Sequence, residues 1–269
     1  MKNKSSLWFI SILIVAAFAL LFLYYPMDVA VPDLGHSKNT QESESPARLP
    51  RPLHPIKIID SSSADRSNLI ALPPLHKSDE YFKLEIVNLF SPSIENLLAQ
   101  SRIIERIVAT VDNFPRIHIS ERIRPIGKVG DDFLTDGQDG IGTYSISADN
   151  YKRYDAIIAL ASSVDMEKVV EVYRRYYPLF QNAYMDLGYP DDYFNDRLVD
   201  VIAHLMATPD VKDPVLLVRP NVLYEYRDPA LAALSSGQKL MVRMGSAHAA
   251  QIKIKLRELH RLITTVSGT

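Results

Sequence analysis

Apolar residues recur along the middle of the chain at steps of three and four. Val169, Tyr173, Tyr176, Phe180, Tyr184 and Leu187 fall on one face of a helix. Phe194, Leu198, Val201, Ile202 and Leu205 form a second such face shortly after. Gly188 suits the left-handed position past a helix end and Pro190 a first helical turn, so Gly188-Tyr189-Pro190 reads as the joint between two helices. Two apolar faces on so short a connection must bury against each other or against a third element. Pro178 lies inside the first helix and predicts a bend there.

The pattern extends both ways from this pair. Ser78-Asp79-Glu80 reads as an N-cap followed by acidic first-turn residues. Helices are expected at about 79–90, 93–100 and 101–114, with Ser91-Pro92 separating the first two and Pro115 closing the third. In the third, Ile103, Ile104, Ile107, Val108 and Val111 make the apolar face, while Arg102, Glu105 and Arg106 point away. Another helix covers Ala148–Ser162. Beyond Pro209 the chain is extended at Val215–Val218 and Val222–Tyr226. Asp228-Pro229 opens a short helix, and Ser235-Ser236 opens another that ends at Gly245. Ser246 caps a last helix whose face is Ala249, Ile252, Leu256, Leu259 and Ile263. Residues 116–147 break the helical rhythm. They hold five of the ten glycines, with β-prone runs at Asp132–Thr135 and Thr143–Ile146, which predicts a small hairpin. No period of 20–50 residues recurs. The fold class expected is mainly α: a multi-helix globular domain over residues 75–266 with a small β-hairpin, preceded by one transmembrane helix and a Pro/Ser-rich linker.

The membrane expectation rests on Leu7–Tyr25, 19 uncharged residues, close to the ~20 needed to cross a hydrocarbon core. Lys2 and Lys4 precede the run and the next basic residue is Lys38, which places residues 1–6 in the cytoplasm and the domain outside. Trp8 and Tyr24-Tyr25 sit where interfacial aromatics belong. The competing reading is a cleaved signal peptide, with Ala17-Phe18-Ala19 as the small-x-small site, but Leu20–Tyr25 stays apolar where a polar region should begin. Residues 26–74 then carry eight of the 17 prolines with QESES and a serine triplet, and show no apolar period. They read as a flexible linker with a root-mean-square reach of about 35–40 Å.

Composition narrows the chemistry. A hydrophobic content of 47% supports a buried core. The net charge of −2 gives no basic footprint for nucleic acid, so none is expected as a partner. With no cysteine, disulfides, thiolate metal sites and cysteine nucleophiles are excluded together. No phosphate loop, nucleotide fingerprint, Gly-x-Ser-x-Gly or His-Glu-x-x-His occurs, so no cofactor is expected.

What remains are four weaker signals. Ser236-Gly237-Gln238-Lys239 has the Ser-x-x-Lys spacing of penicillin-binding enzymes but lacks the accompanying motifs in order, and Ser236 as a helix cap explains the same letters. Asp192, Asp196, Asp200 and His204 recur every fourth residue. The ion-pairing Arg197 and the ~40° drift of such a stripe make a solvated face a better account than a metal site. Turn chemistry accounts for the aspartates of 131–142, and Lys253, Lys255, Arg257 and Arg261 read as a solvated helix back. The most suggestive polar constellation is Asp112, Asn113, Tyr151, Tyr154, Asn195, Asp196 and Arg197. It is a candidate binding groove, with a buried structural hydrogen-bond network as the plainer reading.

Several runs together resemble a known family. They are Thr110–Asn113, Asn150-Tyr151 with Arg153–Asp155, Tyr173–Arg175 with Tyr177-Pro178, Gly188–Pro190 leading into Tyr193–Leu198, and Gly237–Leu240 with Arg243–Gly245. The resemblance, over roughly 72–265, is to an uncharacterised proteobacterial family of single-span membrane-anchored proteins known only as a domain of unknown function. It implies a Gram-negative inner-membrane protein with a periplasmic domain, and brings no activity, cofactor or catalytic residue. The expectation for function is a non-enzymatic envelope interaction module that binds a protein or peptidoglycan. The alternative is an envelope hydrolase acting on cell-wall material through unidentified carboxylates.

Overall fold

The structure, a computed structural model, describes residues 51–58, 71–90, 94–95, 98–118, 123, 133–137, 144–220 and 223–265. The expected span at 7–25 and residues 1–50 as a whole lie outside these. Among the described residues no helix is long and apolar enough to cross a membrane. What is described is a mainly helical globular domain with a small antiparallel sheet.

A 3-10 turn (Leu75–Lys77) leads into α1 (Asp79–Phe90) and α2 (Ile103–Asn113). Strands β1 (Thr135–Gly137) and β2 (Tyr144–Ile146) follow, then α3 (Asp149–Lys152), α4 (Asp155–Ser163), α5 (Met166–Asp186) and α6 (Phe194–Met206). Strands β3 (Leu216–Val218) and β4 (Glu225–Tyr226) precede α7 (Pro229–Ala232), α8 (Ser236–Arg243) and α9 (Ser246–Thr264).

The paired helices α5 and α6 meet each other only lightly; each buries its face mainly on third elements, α2 and α9, which both pack against the pair. The helical faces fall where their spacing places them. Val169, Tyr173, Tyr176, Phe180 and Tyr184 are buried, as are all five apolar positions of α6, of α2 and of α9. Rings fill the centre: Phe180 stacks on Phe194 at 5.6 Å, and Phe82 of α1 meets Tyr176 at 5.0 Å and Phe180 at 5.6 Å. Where α2, α5, α6 and α9 converge, Ile107, Val169, Tyr173, Phe180, Phe194, Leu198 and Leu259 line a cavity of about 20 Å³. That is room for one water, but the walls are apolar, and such voids stay dry.

Several local expectations shift. Leu187 closes α5 as its C-cap and is exposed, because Gly188, at φ 114°, turns the chain away just after it. Pro190 sits in the turn before α6 rather than in its first turn, so Asp192 also precedes the helix. Of the helix expected over 93–100, the described residues show Ile94 and Glu95 in a 3-10 turn and Leu98 in an isolated bridge, with Ile94 and Leu98 both buried. Residues 148–162 split into α3 and α4 at Arg153-Tyr154. Pro178 is contained in an α5 that runs on without interruption.

Caps are also reassigned. Ser78 keeps the N-cap position of α1, its carbonyl accepting the Phe82 N–H at 2.8 Å, but its hydroxyl donates to the Leu75 carbonyl at 2.7 Å and closes the 3-10 turn. Asp79 instead caps α2 from a distance: its carboxylate accepts the N–H of Arg102 and of Ile103, both at 2.8 Å. Arg102 is held at φ 57°, a left-handed conformation that costs a side-chain-bearing residue energy, and the Asp79 clamp offsets it. At α8 the cap is Ser235, in a reciprocal capping box with Gln238, rather than Ser236. At α9 it is Gly245, at φ 85°, rather than Ser246.

The expected hairpin, β1 with β2, is present, and β3 and β4 join it in a four-stranded sheet of order β1-β2-β3-β4. Register aligns Gly137, Tyr144, Leu217 and Tyr226 in one row. Tyr144, Leu217 and Tyr226 of that row are buried, and with Ile146, Val215 and Val242 they form a second, smaller core. Helix α8 serves both cores, sending Leu240 and Met241 to the helical one and Val242 to the sheet. Gly237 is what lets it approach, because a Cβ there would lie 2.6 Å from Leu205 Cδ2 and 3.1 Å from Phe114 Cβ.

Candidate functional site

Asp112 ends the buried face of α2 and is itself 1% exposed. A carboxylate so placed needs donors on both oxygens. Arg197 Nε donates to Oδ1 at 2.9 Å, Arg116 Nη2 to Oδ2 at 3.0 Å, and the Tyr189 hydroxyl to Oδ2 at 3.3 Å. Arg197 Nη2 also donates to the Asp112 main-chain carbonyl at 2.7 Å, satisfying one of the orphan acceptors at the end of α2. Tyr189 stacks on Tyr184 at 4.6 Å. Burial, with the Asp112 carboxylate adding to it, pushes the Tyr184 hydroxyl up to about 12. The group therefore ties the end of α2, the α5–α6 turn and the first turns of α6 into one joint.

Asn195 and Asp196, on the first turn of α6, face elsewhere. Asn195 Oδ1 accepts from the Tyr173 hydroxyl at 3.2 Å, and its Nδ2 donates to the carbonyls of His54 at 2.7 Å and Ile263 at 3.3 Å. Asp196 accepts the main-chain N–H of Leu53 at 2.9 Å and of His54 at 2.7 Å. The other candidates lie apart. Asn113 turns back to the Ala109 carbonyl at 2.7 Å. The Tyr151 hydroxyl donates to Asp213, and its ring lies against Gly245, beside the sheet core. Burial, then that carboxylate, raises the Tyr151 hydroxyl. Tyr154 is in the helical core. Of the seven, then, the structure brings Asp112 to Arg197 and seats Asn195 beside Asp196; it does not gather all seven round one groove.

The remaining signals have local partners. Ser236 hydroxyl donates to the Ile117 carbonyl at 2.7 Å, a fold contact between α8 and the end of α2. In the acidic stripe, Asp196 is taken by the main chain of 53–54, Asp200 is exposed, and His204 Nε2 meets Ser235 Oγ at 2.7 Å. Ser235 Oγ also accepts the Gln238 N–H at 3.2 Å. Burial, with Arg197 nearby, holds His204 below its ordinary value. Among the described residues no three His, Asp or Glu side chains are placed to share a metal ion. Lys253 and Lys255 are not a solvated back as expected. Lys253 Nζ donates to the Thr208 carbonyl and Asp210, and Lys255 Nζ to the Val164 carbonyl, each at 2.7 Å. Their long stems cover the helix flank while the ammonium groups tie loop carbonyls to α9.

Sequence reasoning missed Arg116, Tyr189 and Gln181. Arg116 stands four residues after Asp112, a readable spacing obscured by the intervening Pro115. Gln181 on α5 accepts the N–H of Phe194 at 2.9 Å and donates to the Asp192 carbonyl at 2.8 Å, a long-range cap with no local signature.

The architecture defines a class: a helical domain with an inserted four-stranded sheet and its most buried charges spent on helix joints. Residues 103–260 match the family described as Protein of unknown function (DUF3014), and the chain belongs to that family. The match begins at the first residue of α2 and ends within α9, so it takes in the sheet core, the whole Asp112 joint and the helical core apart from α1, Ile94, Leu98 and Ile263. No curated protein and no solved structure matches the chain.

Proposed function

We propose that this protein is an interaction module of the cell envelope, anchored in the inner membrane by residues 7–25, with residues 1–6 cytoplasmic and its domain in the periplasm. There it binds an envelope protein or peptidoglycan. The observation that carries the reading is the use made of the polar constellation. Asp112 is saturated by Arg197, Arg116 and Tyr189, and Asp196 by two main-chain N–H groups. Acid–base hydrolysis needs carboxylates positioned toward a substrate, whereas Asp112 is buried and Asp196 is occupied by the main chain of 53–54. The exterior of α1, by contrast, offers Tyr81 and Leu84, 46% and 60% exposed and one turn apart.

The test uses the full-length chain in native membranes. A reporter active only in the periplasm, fused after Thr269, is expected to work, and a cytoplasm-only reporter working there would reverse the topology. Cross-linking in those membranes, beside co-sedimentation with isolated cell-wall sacculi, is expected to retain one partner class. Release of soluble wall fragments by the purified chain would replace the module reading with the hydrolase.

A further inference from the structure

Helix α6 does not cap itself. The N–H of its first residue, Phe194, is taken by Gln181 from α5, and the Tyr193 side chain makes no capping bond. The next two side chains, Asn195 and Asp196, are thereby released to hold something else, and what they hold is residues 51–58. One carboxylate accepts two consecutive N–H groups, Leu53 at 2.9 Å and His54 at 2.7 Å, and the neighbouring amide donates to the His54 carbonyl at 2.7 Å. The amide is oriented from behind by the Tyr173 hydroxyl. A carboxylate in the first turn of a helix sits in the favourable end of the helix dipole, and its bonds to N–H groups are charge-assisted.

All of these bonds go to main chain. Leu53 leaves its side chain 80% exposed, and Ile56 is the residue of the segment that packs on the helical core. Pro52 and Pro55 bracket the clamped pair. Having no N–H themselves, they leave Leu53 and His54 as the donors between them, and both donors are used. Proline also pre-orders an extended backbone, which lowers the entropy lost on docking.

We infer that Asn195 and Asp196 form a peptide clamp, a site that reads the backbone of an extended Pro-x-x-Pro segment and is filled in cis by residues 51–58. The segment is exchangeable. Three hydrogen bonds and one apolar side chain oppose the ordering of eight residues, terms of comparable size. A clamp that reads main chain also admits another peptide of the same backbone shape. The inference does not depend on the membrane reading.

Amide hydrogen exchange on the full-length chain in detergent tests it, read at Leu53 and His54. Both amides are expected to exchange at least about tenfold more slowly than in Asp196→Ala, while Asp200→Ala, one turn along, matches wild type. A synthetic peptide of residues 50–58, added in excess to the wild-type chain, is expected to return both amides to fast exchange without changing those of α5. Equal exchange in wild type and Asp196→Ala would overturn the clamp. Amides that ignore the peptide and open only with the whole domain would make the segment a fixed strap and overturn its exchangeability. Protection that rises with chain concentration would place a second copy's segment in the site and overturn the cis assignment.

Discussion

The two cores of this domain are built on opposite terms. The helical core draws, among the described residues, on α1, α2, α4, α5, α6, α8 and α9, and packs rings against rings at its centre. The sheet core rests on strands of two and three residues, too short to hold together alone. It persists because Val242 of α8 closes one side of it and because Tyr144, Leu217 and Tyr226 align across three strands. The lesson is one of dependence: the helical core can outlast the sheet, whereas the sheet cannot outlast α8.

The largest break comes from Phe180→Ala. Its ring touches Phe82, Tyr173 and Phe194 beside the existing cavity, so truncation enlarges a void in the helical core. A loss of about 3–5 kcal/mol is expected in urea titration, with both cores lost in a single transition. Arg197→Ala comes next. It leaves the Asp112 carboxylate buried with Arg116 as its remaining charged partner, and a loss of about 3 kcal/mol is expected by the same titration. Leu217→Ala should cost about 2–3 kcal/mol, but locally. Amide exchange is expected to speed up at β3 and β4 while α5 keeps its protection, and equal loss in both would erase the distinction between the cores.

Gly237→Ala tests the joint between them. The added Cβ meets Leu205 and Phe114 too closely, so α8 must shift, at about 1–3 kcal/mol, with faster exchange in both cores. The smallest effect is pH-dependent. His204, at the α6–α8 contact, has a folded pKa below the unfolded value of 6.5, so the unfolded chain binds the proton more readily. Stability is therefore complete above about pH 6.5 and declines as pH falls below it toward the folded value. Melting temperature in His204→Gln should fall less than in wild type between pH 7.5 and 5.5.

The same contrast explains what the sequence could tell. Helical faces are periodic, and every apolar position expected on α2, α6 and α9 is buried. The sheet was half legible. Glycines and β-prone runs marked β1 and β2, but nothing local says that β3, four helices later, pairs with β2. Of the candidate site, Asp112 and Arg197 are legible as polar residues beside apolar faces, but the spacing along α6 points Arg197 to Asp196 and Asp200, whereas its carboxylate partner, Asp112, comes from another helix. Residues 51–58 were part of a stretch read as linker, because proline density and missing period are what a linker shows. The domain holds them through Leu53 and His54 main-chain atoms, and backbone recognition leaves no mark in side-chain spacing.

That contact also decides how the domain would bear a load. Tension applied to the chain ahead of Arg51 meets the two N–H bonds to Asp196 before it can reach α1. The force enters at the head of α6 and passes through Asn195 and Tyr173 into α5, the longest helix of the domain. Because both bonds end on one carboxylate, they share the pull and part together. Until they do, α1 and the Asp79 cap on α2 carry no strain. Rupture under force is governed by the rate of the first opening step. The clamp at Asp196, acting as a mechanical fuse, would yield while both cores remain intact.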